Sequence, residues 1–107
     1  MAYRVRLSVR AAKDAEGIYE RVAEQAPLAG QTWYNALIAT LYSLDTFPER
    51  GGVVESLSAP SSTVRKILYG HRPHVYAIYF EVAGDTVNIL HIRHGARKEP
   101  TRREIFG

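Results

Sequence analysis

The 107-residue chain contains no cysteine, which excludes disulfide bonds, thiolate metal sites and a cysteine nucleophile. This absence also favours a reducing compartment, so we expect a cytoplasmic protein. No apolar run approaches the ~20 residues that a membrane helix needs. The first residues alternate charged and apolar side chains, a pattern that differs from a secretory signal peptide. No membrane partner is therefore expected.

Motifs that would define a stand-alone enzyme are also missing, including glycine-rich phosphate loops and metal triads at helical spacing. His91 and His94 lie three positions apart in a predicted strand, so their rings are expected on opposite faces. That placement disfavours a metal shared by these two residues. A metal site built with His71 or His74 stays open as a minor alternative. The sequence predicts no cofactor and no metal.

Charge is distributed unevenly along the chain. Up to Val64 there are six basic and seven acidic residues, whereas from Arg65 onward there are eight basic and four acidic residues. All four histidines also lie in the second part. A basic half indicates an anionic partner, either nucleic acid or an acidic protein segment. The alternative is a solvated surface with a mild excess of positive charge.

Length and periodicity predict one α+β domain over residues 1–107. Residues 3–9 alternate as in a half-buried strand, and Ser8 is expected to cap the helix that follows. Helical spacing predicts two apolar stripes, separated at Pro27: Ala12, Ala15, Ile18, Tyr19, Val22 and Ala26, then Ala29, Trp33, Leu37, Leu41 and Leu44. The short break predicts an antiparallel helical hairpin. We expect Trp33 to be a core anchor of the second helix.

The remaining chain is predicted as a loop over 49–63 and strands over 64–69, 75–82 and 86–93. In the last strand, Val87, Ile89 and His91 are expected on one face, with Leu90, Ile92 and His94 on the other. Apolar groups on both faces indicate a central strand. The order is β-α-α-β-β-β, with the helical hairpin packed on a small, mostly antiparallel sheet. The polar tail after Arg97 is expected to be mobile.

The segment 91–97 is the main candidate site. Gly95 allows a tight bend that could aim His94 and Arg97 over the sheet edge. A cationic pair in this position could hold a phosphate or a carboxylate. The alternative is that Arg97 caps carbonyl groups or pairs with an acid of the first helix.

The order and spacing of several motifs resemble the RelE/ParE superfamily of bacterial toxins, and most closely its ParE-like branch of plasmid stabilisation proteins. These motifs are Tyr3-x-Val5-x-Leu7-Ser8, the helix around Ala12 and Asp14, Leu44-Asp45-Thr46-Phe47-Pro48, Val64-Arg65-Lys66-Ile67-Leu68, Tyr76-x-Ile78-Tyr79 and Val87-x-Ile89-Leu90-x-Ile92-x-His94-Gly95-Ala96-Arg97. The resemblance implies the toxin of a type II toxin–antitoxin system, bound by an antitoxin in a hetero-oligomer. ParE-like members are associated with inhibition of DNA gyrase, whereas RelE-like members cut messenger RNA on the ribosome.

The residues favour the gyrase branch over the nuclease branch. Ala77 stands where an arginine of RelE-like nucleases would align, and the tail carries Phe106 instead of a tyrosine. The pair of lysines expected in RelE-like nucleases is also missing, because only Lys66 is near. If the protein were a nuclease, the candidates for catalysis would be Arg65, His94 and Arg97. The residues expected to bind the target or the antitoxin are Arg65, Arg72, His94 and Arg97. A non-toxic or degenerate binding module is the third interpretation.

Overall fold

A computed structural model describes residues 2–106, in which two helices pack on one face of a five-stranded sheet. The elements are β1 (Arg4–Leu7), α1 (Val9–Gln25), α2 (Pro27–Tyr42), β2 (Gly52–Val53), β3 (Val64–His71), β4 (His74–Ala83), β5 (Thr86–His94) and α3 (Arg102–Phe106). The strand order is β1-β5-β4-β3-β2, with β1 parallel to β5 and the other neighbours antiparallel. This architecture confirms the predicted α+β fold and the position of β5 inside the sheet.

The helical hairpin begins at the predicted cap. Ser8 Oγ accepts the backbone N–H of Ala11 at 3.0 Å and donates to the carbonyl of Leu90 at 3.0 Å. The cap therefore satisfies a helix-end donor and also ties α1 to the middle of β5. Pro27 is the first residue of α2, where its missing N–H leaves no intrahelical bond unmade.

The two apolar stripes are shifted slightly from their predicted positions. In α1 the buried residue of the first turn is Ala11, whereas Ala12 is exposed. In α2, Leu37 and Leu41 are buried as predicted, but Ala29 is exposed. These helices cover the sheet face that carries the larger core cluster, which includes the fully buried residues Leu37, Leu41, Leu44, Ile78, Phe80, Val87 and Ile89.

A β-bulge at Leu90 changes which side chains share a face of β5. Tyr79 pairs with His91, but the next residue of β4, Phe80, pairs with Ile89, so Leu90 is the additional residue. Leu90 belongs to the core cluster of Tyr79, and the His91 ring stacks on that tyrosine. The predicted grouping of His91 with Ile89 is therefore wrong, because the bulge reverses the alternation before His91.

The second face of the sheet is covered by the loop before β3 and by the chain after β5. The cluster there consists of Val54, Leu57, Val64, Ala77, Tyr79, Leu90 and Ile105. Two features differ from the prediction: the loop contributes the short edge strand β2, and the tail folds back as α3 with Ile105 buried. Apolar residues in both segments supply the reason, since each covers otherwise exposed sheet surface. Within residues 2–106 no helix has the length and apolarity needed to cross a bilayer.

Candidate functional site

The polar centre of β5 is a hydrogen-bonded chain that runs from α1 to α3. Asp14 Oδ2 lies 2.5 Å from His91 Nδ1 and also accepts the backbone N–H of Ile92 at 3.1 Å. Arg93 Nε donates to His91 Nε2 at 2.9 Å, and Arg93 Nη2 donates to Glu104 Oε2 at 3.0 Å. His91 and Arg93 are 3% and 6% exposed, so these bonds replace the water that both side chains lose on folding.

The hydrogen-bond roles of the two ring nitrogens of His91 follow from these two partners. A guanidinium Nε can only donate, so His91 Nε2 must accept and carries no proton. The ring proton therefore lies on Nδ1, where it is donated to Asp14. Both ring nitrogens of His91 are thus hydrogen-bonded within the protein, and neither is free to contact a substrate.

Tyr79 is held as a neutral phenol beside His91. Its O–H donates to Glu99 Oε1 at 2.5 Å, and Lys66 Nζ lies 3.4 Å from the same carboxylate oxygen. Burial and, second, the bond to Glu99 raise the pKa of Tyr79 well above its ordinary value. The phenol therefore stays protonated at neutral pH and connects the tail to the sheet.

His94 lies on the helix-covered side of β5 and is half-buried. Its ring packs edge-on against Tyr76 with 5.3 Å between centroids, and its Nδ1 accepts the backbone N–H of Ala96 at 3.1 Å. Gly95 has no left-handed backbone; instead it allows close approach to β4, because a Cβ would lie 3.1 Å from the Val75 carbonyl oxygen. The chain therefore leaves β5 in a fixed direction.

Arg97 follows this turn as an exposed side chain with no hydrogen bond or ion pair within residues 2–106. Together with His94 it lines a hollow of about 240 Å³ between α1 and the end of β5. Lys13 and Arg21 of α1 line the same hollow. Arg97 does not pair with the nearby acid Asp14, whose carboxylate is bound to His91. We call Lys13, Arg21 and Arg97 the cationic rim.

Arg65 and Arg72 lie outside this hollow. Arg65 Nη1 donates to the carbonyl of Gly51 at 2.8 Å and to that of Glu49 at 3.2 Å, so its guanidinium holds the loop before β2. Arg72 is exposed in the turn between β3 and β4 and borders a second, apolar hollow that His94 also lines. The structure thus brings His94 together with Arg97 on one side and with Arg72 on the other, but not with Arg65.

The structure shows the surroundings of Ala77 and Phe106, the two residues at which the sequence departs from RelE-like nucleases. Ala77 is buried on β4 directly opposite Arg93, whose three guanidinium nitrogens donate to His91, Glu104 and the carbonyl of Lys98. Phe106 is partly exposed, and the guanidinium of Arg102 lies 4.7 Å from its ring centroid. Within residues 2–106, no cluster of three or more His, Cys, Asp or Glu side chains could hold a metal ion.

Four residues of this region were not predicted from the sequence: Lys13, Asp14, Arg21 and Arg93. Asp14 is not part of the predicted apolar stripe of α1, and its contact with His91, 77 positions further along the chain, is not encoded in the local sequence. Lys13 and Arg21 carried a usable signal, because Lys13, Gly17 and Arg21 are spaced four residues apart and so share one helix face.

Comparison with known proteins identifies first the class of fold and then the family. A solved chain described as "Chromosomal ParDE TA system from P. aeruginosa" superposes with a TM-score of 0.68 at 19% identity, over 87% of this chain and 96% of that chain. The match shows a common fold of a helical pair on a sheet. Residues 5–99 match the family model of the ParE toxin of the type II toxin–antitoxin system, parDE. The chain therefore belongs to the ParE toxin family, which confirms the resemblance found in its motifs. No curated relative matches the sequence.

Proposed function

We propose that this protein is a single-domain cytoplasmic toxin that an antitoxin neutralises and that, when free, inhibits DNA gyrase. Membership of the ParE family supports the toxin role. The observation that carries the mode of action is the contrast between two sets of polar groups. His91, Arg93 and Tyr79 are paired within the protein, whereas the cationic rim is exposed and has no partner among residues 2–106. Such a surface is suited to docking on an acidic partner and supplies no assembled acid–base pair.

The docking surface is centred on His94 and Arg97, and Arg72 extends it to the turn of the β3–β4 hairpin. Arg72 and Arg97 are both exposed and keep their guanidinium groups available. Arg65 contributes differently, because its bonds to two loop carbonyls are already made. We assign Arg65 to positioning the loop before β2, through which it contributes to binding of the target or the antitoxin.

A supercoiling assay with purified gyrase tests this target directly. Purified toxin is expected to inhibit supercoiling in the absence of ribosomes, and Arg97→Gln is expected to lose most of that inhibition. Arg103→Gln is a matched control, since Arg103 is an exposed arginine on α3 away from the hollow. Full inhibition by Arg97→Gln, with the fold verified by circular dichroism, contradicts the proposed docking role.

The second candidate function is ribosome-dependent cleavage of messenger RNA. The observation in its favour is that His94 binds the Ala96 N–H through Nδ1, which leaves Nε2 for proton transfer beside Arg97. Cleavage of messenger RNA on translating ribosomes, lost on His94→Ala, supports this alternative if gyrase is unaffected. Inactivity in both assays indicates a degenerate binding module.

The antitoxin is the partner proposed for the basic surface in the inactive state. Co-expression with the protein encoded by the neighbouring reading frame is expected to give one hetero-oligomeric complex on size exclusion. Raising the salt concentration should weaken the complex if exposed cations contribute to it. Separate elution of the two proteins at micromolar concentration contradicts this pairing.

A further inference from the structure

Two glycines lie inside the helices, and only one of them has a steric reason to be glycine. At Gly30, a Cβ would lie 3.1 Å from Ala23 Cα, so this residue lets α1 and α2 approach closely. At Gly17, a Cβ would meet nothing nearer than Arg21 Nη1, at 4.0 Å. Glycine weakens the interior of a helix relative to alanine. Packing therefore leaves the glycine at position 17 unexplained.

Gly17 is instead part of the hollow bounded by the cationic rim. Lys13 and Arg21 lie one turn before and one turn after it on the same face of α1, and Arg97 reaches the hollow from the end of β5. The acid that lines the hollow, Asp14, already accepts bonds from His91 and from the backbone of Ile92. The result is an opening without a side chain at position 17, surrounded by three cations with no partner within residues 2–106.

We propose that this hollow binds a carboxylate side chain, from an aspartate or glutamate of a protein partner. Two arginines can each present parallel N–H donors to a carboxylate, and the lysine adds a third positive charge. A volume of about 240 Å³ leaves room for one or two side chains and not for a folded element. The inference rests on the proposed function only for the identity of that partner.

The surroundings of the hollow favour an isolated carboxylate over a nucleic-acid backbone. Glu16 and Glu20 are exposed on α1 next to Gly17, so negative charge flanks the hollow. A continuous row of phosphates crossing the helix would be brought close to these acids and repelled. A single carboxylate at the end of a side chain brings one negative charge into the hollow, where three cations outnumber Asp14, and the chain that carries it need not pass Glu16 and Glu20.

Titration with hexaglutamate, monitored through the arginine side-chain Nε signals by NMR, tests the proposal on the full chain. Arg21→Gln and Arg97→Gln are each expected to weaken binding about tenfold, as is typical of losing one charge-assisted contact. Arg103→Gln should bind like the wild type, and hexaglutamine should not bind. Equal binding by all three arginine variants overturns the proposal, because the peptide would then respond only to overall charge.

Gly17→Leu separates the hollow from the charges. Leucine is a good helix former, so this variant should keep or raise the thermal midpoint while its side chain fills the hollow and abolishes binding. Undiminished binding by folded Gly17→Leu overturns the proposed site. If that variant does not fold, Lys13→Gln replaces it. We expect Lys13→Gln to bind hexaglutamate more weakly, and binding equal to the wild type would contradict the site. If single-stranded DNA binds more tightly than hexaglutamate, and Arg21→Gln abolishes the binding of DNA, the ligand of the hollow is a phosphate group and the carboxylate proposal is overturned. Gyrase inhibition by Gly17→Leu keeps the two hypotheses apart, because this variant leaves Arg97 in place. Lost peptide binding with retained inhibition supports the carboxylate site and leaves the proposed docking role of Arg97 intact.

Discussion

Arg93 Nε donates to His91 Nε2 at 2.9 Å, and this one bond decides what His91 can do. Because Arg93 Nε can only donate, His91 Nε2 accepts this bond, and its Nδ1 is bound to Asp14. The same arginine reaches the carbonyl of Lys98 and the carboxylate of Glu104. His91 and Arg93 therefore join α1, β5 and α3 mechanically, which leaves recognition to the exposed cations around them.

Removal of Asp14 should destabilise the fold through this chain. Asp14→Ala leaves the Nδ1–H of His91 and the backbone N–H of Ile92 without an acceptor, at an expected cost of about 1–3 kcal/mol. Asp14→Asn should cost less, because its amide oxygen can accept both hydrogen bonds. Urea denaturation measures both variants. Glu16→Ala is the control on the exposed face, and an Asp14→Ala value within about 0.5 kcal/mol of it contradicts the prediction.

Alanine substitutions at the two helix glycines should have opposite effects. Gly17→Ala is expected to stabilise the protein by about 0.5–1 kcal/mol, because the backbone is helical and the added methyl meets open space. Gly30→Ala is expected to destabilise it by about 1–3 kcal/mol, because the methyl is forced towards the backbone of Ala23. Thermal and urea unfolding of the pair compares them directly. Effects of the same sign would show that helix propensity alone governs both positions.

Trp33 should stabilise the packing of α2 on the sheet, although less than a fully buried anchor would. Its ring is half-buried and packs edge-on against Tyr69 and Tyr76, with centroid distances of 5.6 and 5.3 Å. We expect Trp33→Ala to cost about 2–3 kcal/mol, below the 3–5 kcal/mol typical of a buried tryptophan. Leu28→Ala, at an 87% exposed position, is the control. A cost below about 1 kcal/mol would leave the Trp33 ring available for a ligand.

Local sequence patterns predicted the elements well because they record burial and helix capping. Ser8 shows this clearly, since a serine before an amphipathic stretch has one favourable role at a helix start. The bulge at Leu90 could not be predicted in the same way. Apolar residues stand at 89, 90 and 92, and this run fits a regular central strand as well as a bulged one. The position of His91 depends on that single inserted residue.

The candidate site was predictable only in part for a similar reason. The sequence placed His94 and Arg97 together because they are neighbours along the chain. Lys13 and Arg21 lie near His94 and Arg97 only because α1 packs against β5. The hydrogen bond between Asp14 and His91 connects residues that are 77 positions apart in the sequence. Contacts of this kind arise from the topology of the sheet, so residue types alone did not distinguish the free cations from the paired ones.

Tyr79 should make stability sensitive to alkaline pH. Burial and the bond to Glu99 raise the pKa of Tyr79 in the folded state above the ordinary tyrosine value of 10.0. The stability that comes from keeping this phenol protonated is fully present below pH 10.0 and is lost as the pH rises through the folded-state pKa. Stability of the wild type should therefore fall as the pH is raised above about 10.

Tyr79→Phe isolates that contribution. At neutral pH the variant should be less stable by about 0.5–1.5 kcal/mol, because Glu99 loses the phenolic donor. Above pH 10 the difference between variant and wild type should shrink, since phenylalanine has no proton to lose. Tyr69, whose pKa is also raised by burial, remains in both proteins, so its titration cancels in the comparison. Urea unfolding of both proteins at pH 7, 9, 10 and 11 provides the measurement. If the difference in their free energies of unfolding stays constant across this range, the pKa of Tyr79 does not differ between the folded and unfolded states.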